Sequence, residues 1–119
     1  MSPVLVVEDE YFVAADCVAE LRKRGLEAVA VATLEDAVDL AQAPGICGAV
    51  IDIDLRGERT FALIELLRER TIPFVIYTGY SAQIFSSEIS SVPVFEKPAR
   101  PAEVVDALVS LMQRSKRGR

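Results

Sequence analysis

The chain has 119 residues, 51% hydrophobic and 26% charged, which suits one globular domain with a single core. Its net charge is −5, and from Arg114 onward it carries Arg114, Lys116, Arg117 and Arg119 with no acid; without those four, 9 of its 13 basic residues stand against 18 acidic ones. A body of about −9 argues against nucleic acid as the main ligand, and no apolar run approaches the ~20 residues of a membrane span.

The first strand reads as Val4-Leu5-Val6-Val7. Glu8, Asp9 and Glu10 follow at once, too early for a signal peptide, so a cytoplasmic protein is expected. A helix from Tyr11 to Arg24 places Val13, Cys17 and Leu21 on one face and stops at Gly25. Ala28–Val31 is a short strand, and Leu34–Ala43 a helix ended by Pro44-Gly45. Gly48–Ile53 is the third strand, followed by a short helix through Phe61, Ile64, Leu67 and Arg68. Phe74–Tyr77 and Val92–Phe95 are strands separated by the polar, serine-rich stretch Ser81–Ser91. The last helix begins at Pro101 and buries Val104, Val105, Leu108 and Leu111. Cys17 and Cys47 read as buried, reduced packing residues; with no CxxC and no histidine, zinc is disfavoured.

Five apolar strands alternating with helices imply a doubly wound α/β domain, a parallel sheet covered by helices on both faces. Such folds bind ligands beyond the carboxyl ends of their strands. There the sequence puts Glu8, Asp9 and Glu10 after the first strand and Asp52 and Asp54 after the third. Thr78-Gly79-Tyr80 ends the fourth, and Glu96-Lys97-Pro98 the fifth. Singly, each is an ordinary strand end or helix cap; jointly, they form a chemical set. Clustered carboxylates repel unless a cation intervenes. Oxygen ligands without His or Cys suit Mg²⁺. A carboxylate left over beside the metal can attack phosphorus, while a lysine and a hydroxyl stabilise the transferring group.

The runs VLVVEDE, AVIDIDLRG, VIYTG and VFEKP, in that order, resemble the receiver domain of bacterial two-component response regulators. The resemblance covers essentially the whole chain and implies a flavodoxin-like sheet of strand order 2-1-3-4-5, with a receiver over 1–114 and a basic tail at 115–119. It implies that Asp52 is the phosphorylated aspartate, that Asp9 binds Mg²⁺ directly and Glu8 through water, and that Asp54 offers its backbone carbonyl. Thr78 matches the switch hydroxyl and Lys97 the family lysine, with Lys97-Pro98 often cis. Tyr80, two past Thr78, flanks the site. Departures stand out too: Arg56 where proline is frequent, Val94 in place of the aromatic switch residue, Ala99 after Lys-Pro. The stretch IPFVIYTGY is similar to the PFxFATGY pattern of stand-alone alphaproteobacterial receivers, a subgroup with an altered fourth helix.

The implied function is Mg²⁺-dependent phosphoryl transfer from a phosphohistidine donor to Asp52, switching protein contacts. The protein is then a phosphoacceptor rather than a classical enzyme. Lacking histidine, the chain must receive from a histidine kinase or a histidine phosphotransfer protein, met on the first helix near Tyr11, Ala14, Ala15 and Val18. With no effector domain in view, a single-domain regulator signalling to a downstream protein is favoured over an excised receiver. The output face is expected on the fourth helix, fifth strand and last helix. Two alternatives remain: a pseudo-receiver that only binds proteins, and a phosphatase of the haloacid dehalogenase type, whose DxD would sit on the first strand instead.

Overall fold

The computed structural model describes residues 2–79 and 91–117, the last two by backbone alone. The parallel sheet is built on β1 (Val4–Val7), which pairs on one side with β2 (Ala28–Val31) and on the other with β3 (Gly48–Ile51). Two short strands, β4 (Asp54–Leu55) and β5 (Glu58–Arg59), form a separate antiparallel hairpin. Further along come β6 (Phe74–Thr78) and β7 (Val94–Glu96), giving a central order β2-β1-β3-β6-β7. Leaving the hairpin aside, this is the expected 2-1-3-4-5.

Period-two alternation sorts the strand side chains into two cores. Val4, Val6, Val50, Val75 and Tyr77 face α1 (Tyr11–Lys23) and α4 (Pro101–Arg117). Leu5, Val7, Ala49, Ile51, Phe74 and Ile76 face α2 (Leu34–Gln42) and α3 (Phe61–Glu69). Because both faces are covered, the central strands read as unbroken apolar runs in the sequence.

The helix boundaries follow from local chemistry. Gly25, at φ +81, closes α1; its N–H donates to the Arg22 carbonyl and that of Leu26 to the Leu21 carbonyl. Thr33 caps α2 by accepting from the Asp36 N–H at 3.2 Å. Thr33→Ala is expected to cost about 1 kcal/mol. Thermal unfolding should show a midpoint lower by roughly 4 °C; an unchanged midpoint would remove the cap from the account.

Several expectations need correction. The buried face of α1 is Ala14, Cys17 and Leu21, so Ala14 turns to the core and leaves the outward face to Tyr11, Ala15 and neighbouring residues. Val13 is only half-buried, and so is Cys47, whose thiol donates to the Ser2 carbonyl. The third strand stops at Ile51, which releases Asp52 and Asp54 from the ladder. The last strand runs Val94–Glu96 rather than from Val92, and α4 continues to Arg117. Tyr80 and the serine-rich stretch up to residue 90 lie outside the described residues. Among the described residues no helix is long and apolar enough to cross a membrane.

Candidate functional site

Strand register brings the acids together. With Val7 opposite Ile51 in the β1–β3 pair, Glu8 and Asp52 leave the sheet side by side. The Asp52 N–H still reaches the Val7 carbonyl at 3.0 Å. Both carboxylates are buried, at 5% exposure each, while Asp9 is half-buried and Glu10 exposed. Across the gap, β7 delivers Lys97, whose backbone N–H donates to the Thr78 carbonyl at 2.8 Å.

The Lys97 ammonium stands among three carboxylates: Glu8 at 2.7 Å, Glu10 at 2.9 Å and Asp52 at 2.9 Å. Burial pushes the Glu8 carboxyl up to about 7, against hydrogen bonds from Lys97 and the Glu10 amide that favour its charged form. Burial works against the Lys97 ammonium as well, but its hydrogen bonds to Glu8, Asp52 and Glu10 outweigh this and raise its pKa above the usual lysine value. The lysine thus stays charged and serves as the internal counter-ion of the cluster.

Glu8, Asp9, Glu10 and Asp52 each offer one oxygen, all within 4.8 Å of one another. An all-oxygen, partly exposed set of this kind fits a hard divalent cation. Asp9 also accepts from the Arg56 N–H at 2.9 Å. Asp54 lies just outside this set. Its N–H donates to Asp52 Oδ1, while its own carboxylate accepts from Gly57 and Arg59 within the hairpin. Asp9, Glu10, Asp52, Asp54, Gly79 and Lys97 line a small open cleft of about 210 Å³.

Of the residues expected from the sequence, the structure therefore gathers Glu8, Asp9, Asp52 and Lys97, with Asp54 on the rim. Thr78 ends β6 fully buried. Val94 sits in β7 opposite Ile76 and packs into the core facing α2 and α3, away from the carboxylates. The Lys97-Pro98 peptide is cis. Tyr80 is not among the described residues.

Two contributors were missed, and a third, Glu10, was placed among the strand-end acids without a role. Glu10 binds Lys97 across 87 positions of sequence, a pairing no local pattern reveals. Thr60, fully buried, donates its hydroxyl to the Asp52 carbonyl at 2.9 Å. Tyr77 accepts from the Ala99 N–H at 3.2 Å and donates to the Ala99 carbonyl at 3.0 Å, tying down the loop that carries Lys97. A tyrosine inside a buried strand needs a partner for its hydroxyl, and that was the available signal for the last of them.

No family model matches the sequence, and no curated protein matches it. Solved structures do. SdrG from Sphingomonas melonis Fr1 is 30% identical over 95% of this chain and 97% of its own, with a TM-score of 0.80. A response regulator receiver protein from Sinorhizobium medicae WSM419 is 23% identical over 94% of both chains, with a TM-score of 0.85. A Burkholderia pseudomallei response regulator, solved with a phosphorylated aspartic acid and a calcium ion, is 20% identical over 99% of this chain and 72% of its own, with a TM-score of 0.79. Fold, site and the 30% relationship agree: the chain belongs to the response regulator receiver domains.

Proposed function

We propose that the chain is the phosphoacceptor of a two-component or phosphorelay pathway, taking a phosphoryl group from a phosphohistidine donor onto Asp52. The observation that carries this is a buried Asp52 carboxylate held 2.9 Å from the Lys97 ammonium, inside a cluster of three further carboxylates. One Asp52 oxygen forms the bond to phosphorus. The bond from phosphorus to the donor imidazole nitrogen breaks, and its electron pair stays on that nitrogen. Lys97 moves its charge toward the phosphoryl oxygens, and Thr78 offers a hydroxyl to one of them. Asp9, Asp52 and the Asp54 carbonyl would hold Mg²⁺, with Glu8 acting through water; bound there, the ion neutralises the transferring group.

The donor is a histidine kinase or a histidine phosphotransfer protein, docking on the outward face of α1 at Tyr11 and Ala15, with Val18, which packs partly against the core, at its edge. Tyr11 and Phe12 are 77% and 79% exposed there, beside the cleft. The PFxFATGY-like stretch supports a single-domain cytoplasmic regulator that signals by protein contact. In that reading Tyr80 tunes dephosphorylation, and Val94 leaves the switch to Thr78 without an aromatic partner.

Intact mass after incubation with Mg²⁺ and acetyl phosphate tests the proposal. The wild type should gain one phosphoryl group; Asp52→Asn, and the wild type without Mg²⁺, should gain none. A wild type that takes up nothing would replace this reading with that of a protein-binding pseudo-receiver.

A further inference from the structure

The β4–β5 hairpin sets a second cation, Arg59, against Asp54, one of the residues that line the cleft. Its turn is Arg56-Gly57, at φ +53 and +89, the geometry of a tight two-residue hairpin turn. Asp54 and Arg59 are directly opposed in the ladder, so their side chains share one face. Arg59 Nη1 lies 3.1 Å from Asp54 Oδ1, and the Gly57 N–H holds Asp54 Oδ2 at 3.3 Å. The hairpin is pinned at its turn by Asp9, through the Arg56 N–H, and at its base by the Thr60 N–H on the Ile53 carbonyl. Arg59 is thus presented at the rim from a supported element, although its side chain is 42% exposed.

The charge balance of the rim gives this placement a consequence. The cleft is lined by Asp9, Glu10, Asp52 and Asp54 against Lys97, whose ammonium is already divided among Glu8, Glu10 and Asp52. Even counting the two charges that a bound Mg²⁺ would add, four carboxylates against Lys97 leave the lining anionic, so an anionic phosphodonor approaches a surface that repels it, and Asp54 is the rim carboxylate whose charge Arg59 offsets. We propose that Arg59 is a specificity-determining residue for the phosphodonor, its guanidinium offsetting Asp54 and favouring the approach of more highly charged phosphoryl groups. The inference rests on the phosphoacceptor reading of Asp52. It concerns encounter and orientation rather than bond making. Its effect grows with donor charge and shrinks with salt.

The test compares acetyl phosphate, a dianion at neutral pH, with phosphoramidate, a monoanion. Initial phosphorylation rates are followed by intact mass at fixed Mg²⁺ and several ionic strengths, in the wild type, Arg59→Ala and Arg59→Lys. Arg59→Ala is expected to slow uptake from acetyl phosphate by roughly threefold to tenfold, the reach of one exposed charge. The loss with phosphoramidate should be clearly smaller, and the variant's rate with acetyl phosphate should rise more steeply with salt, closing on the wild type. Arg59→Lys should recover most of the rate, since charge rather than the guanidinium fork is what acts. Equal slowing with both donors, no slowing, or no recovery in Arg59→Lys would overturn the proposal. A wild type that takes phosphate from neither donor would instead overturn the phosphoacceptor reading, and this inference with it.

Discussion

Lys97→Ala is expected to unfold at markedly lower urea concentration than the wild type, with the difference largest at alkaline pH and reduced by Mg²⁺. The lysine is 14% exposed and lies against Glu8 and Asp52, whose side chains are 4% and 6% exposed. Removing it leaves two buried like charges with no counter-ion, a change that costs about 3 kcal/mol in comparable sites. The pH dependence has a definite sign. Glu8 titrates near 7 when folded against a reference of 4.5, so the folded protein binds more protons than the unfolded chain between those values. Stability falls as pH rises through that window. Loss of Lys97 removes a hydrogen bond that lowers the Glu8 pKa, so the fall becomes steeper and extends to higher pH. Below about pH 4.5 Glu8 is protonated in both states, and the part of the loss that it carries should vanish. Mg²⁺, by replacing the missing charge, should recover part of the loss. Phosphoryl uptake should slow by on the order of a hundredfold. A urea midpoint at pH 8 equal to that of the wild type would mean that the cluster does not depend on its lysine.

Thr60→Ala is expected to cost about 2 kcal/mol, from a lost buried hydrogen bond and the small cavity left by the methyl group. Thr60 is fully buried at the start of α3, and its hydroxyl reaches the carbonyls of Asp52 at 2.9 Å and Ile53 at 3.2 Å. Its N–H also donates to the Ile53 carbonyl, so a single residue closes the base of the hairpin on the backbone of Asp52. Thr60→Ser keeps the hydroxyl and should retain most of the stability and of the phosphorylation rate. If the serine and alanine variants behave alike, the methyl group rather than the hydroxyl carries the effect.

The fold was legible where burial on both faces wrote continuous apolar runs. β1 and β2 have the expected bounds, and β6 extends its expected run by one residue, Thr78. Helix ends were legible where Gly25 and Pro44-Gly45 supplied stops. The hairpin was not, because strands of two residues have no period, and the sequence showed only an arginine where proline is frequent. Asp9, Asp52, Thr78 and Lys97 could be named because each ends an apolar strand. Glu10, Thr60 and Tyr77 act through contacts set by the packed tertiary structure. The inward turn of Ala14 was misjudged because alanine carries little hydrophobic signal: it sits three positions before Cys17 and seven before Leu21, the spacing of the buried stripe.

Tyr77 has a mechanical consequence. Its hydroxyl binds both backbone groups of Ala99, and the Lys97 N–H binds the Thr78 carbonyl, so the end of β6 and the Lys97 loop are linked at two points. The acids belong to the other side of the gap, at the ends of β1 and β3. The site is therefore a pair of jaws, one carrying the acids and one carrying Lys97 on a backbone tied to Thr78. A phosphoryl group seated between them would draw Thr78 and Lys97 as one body, because neither can follow it without carrying the other along.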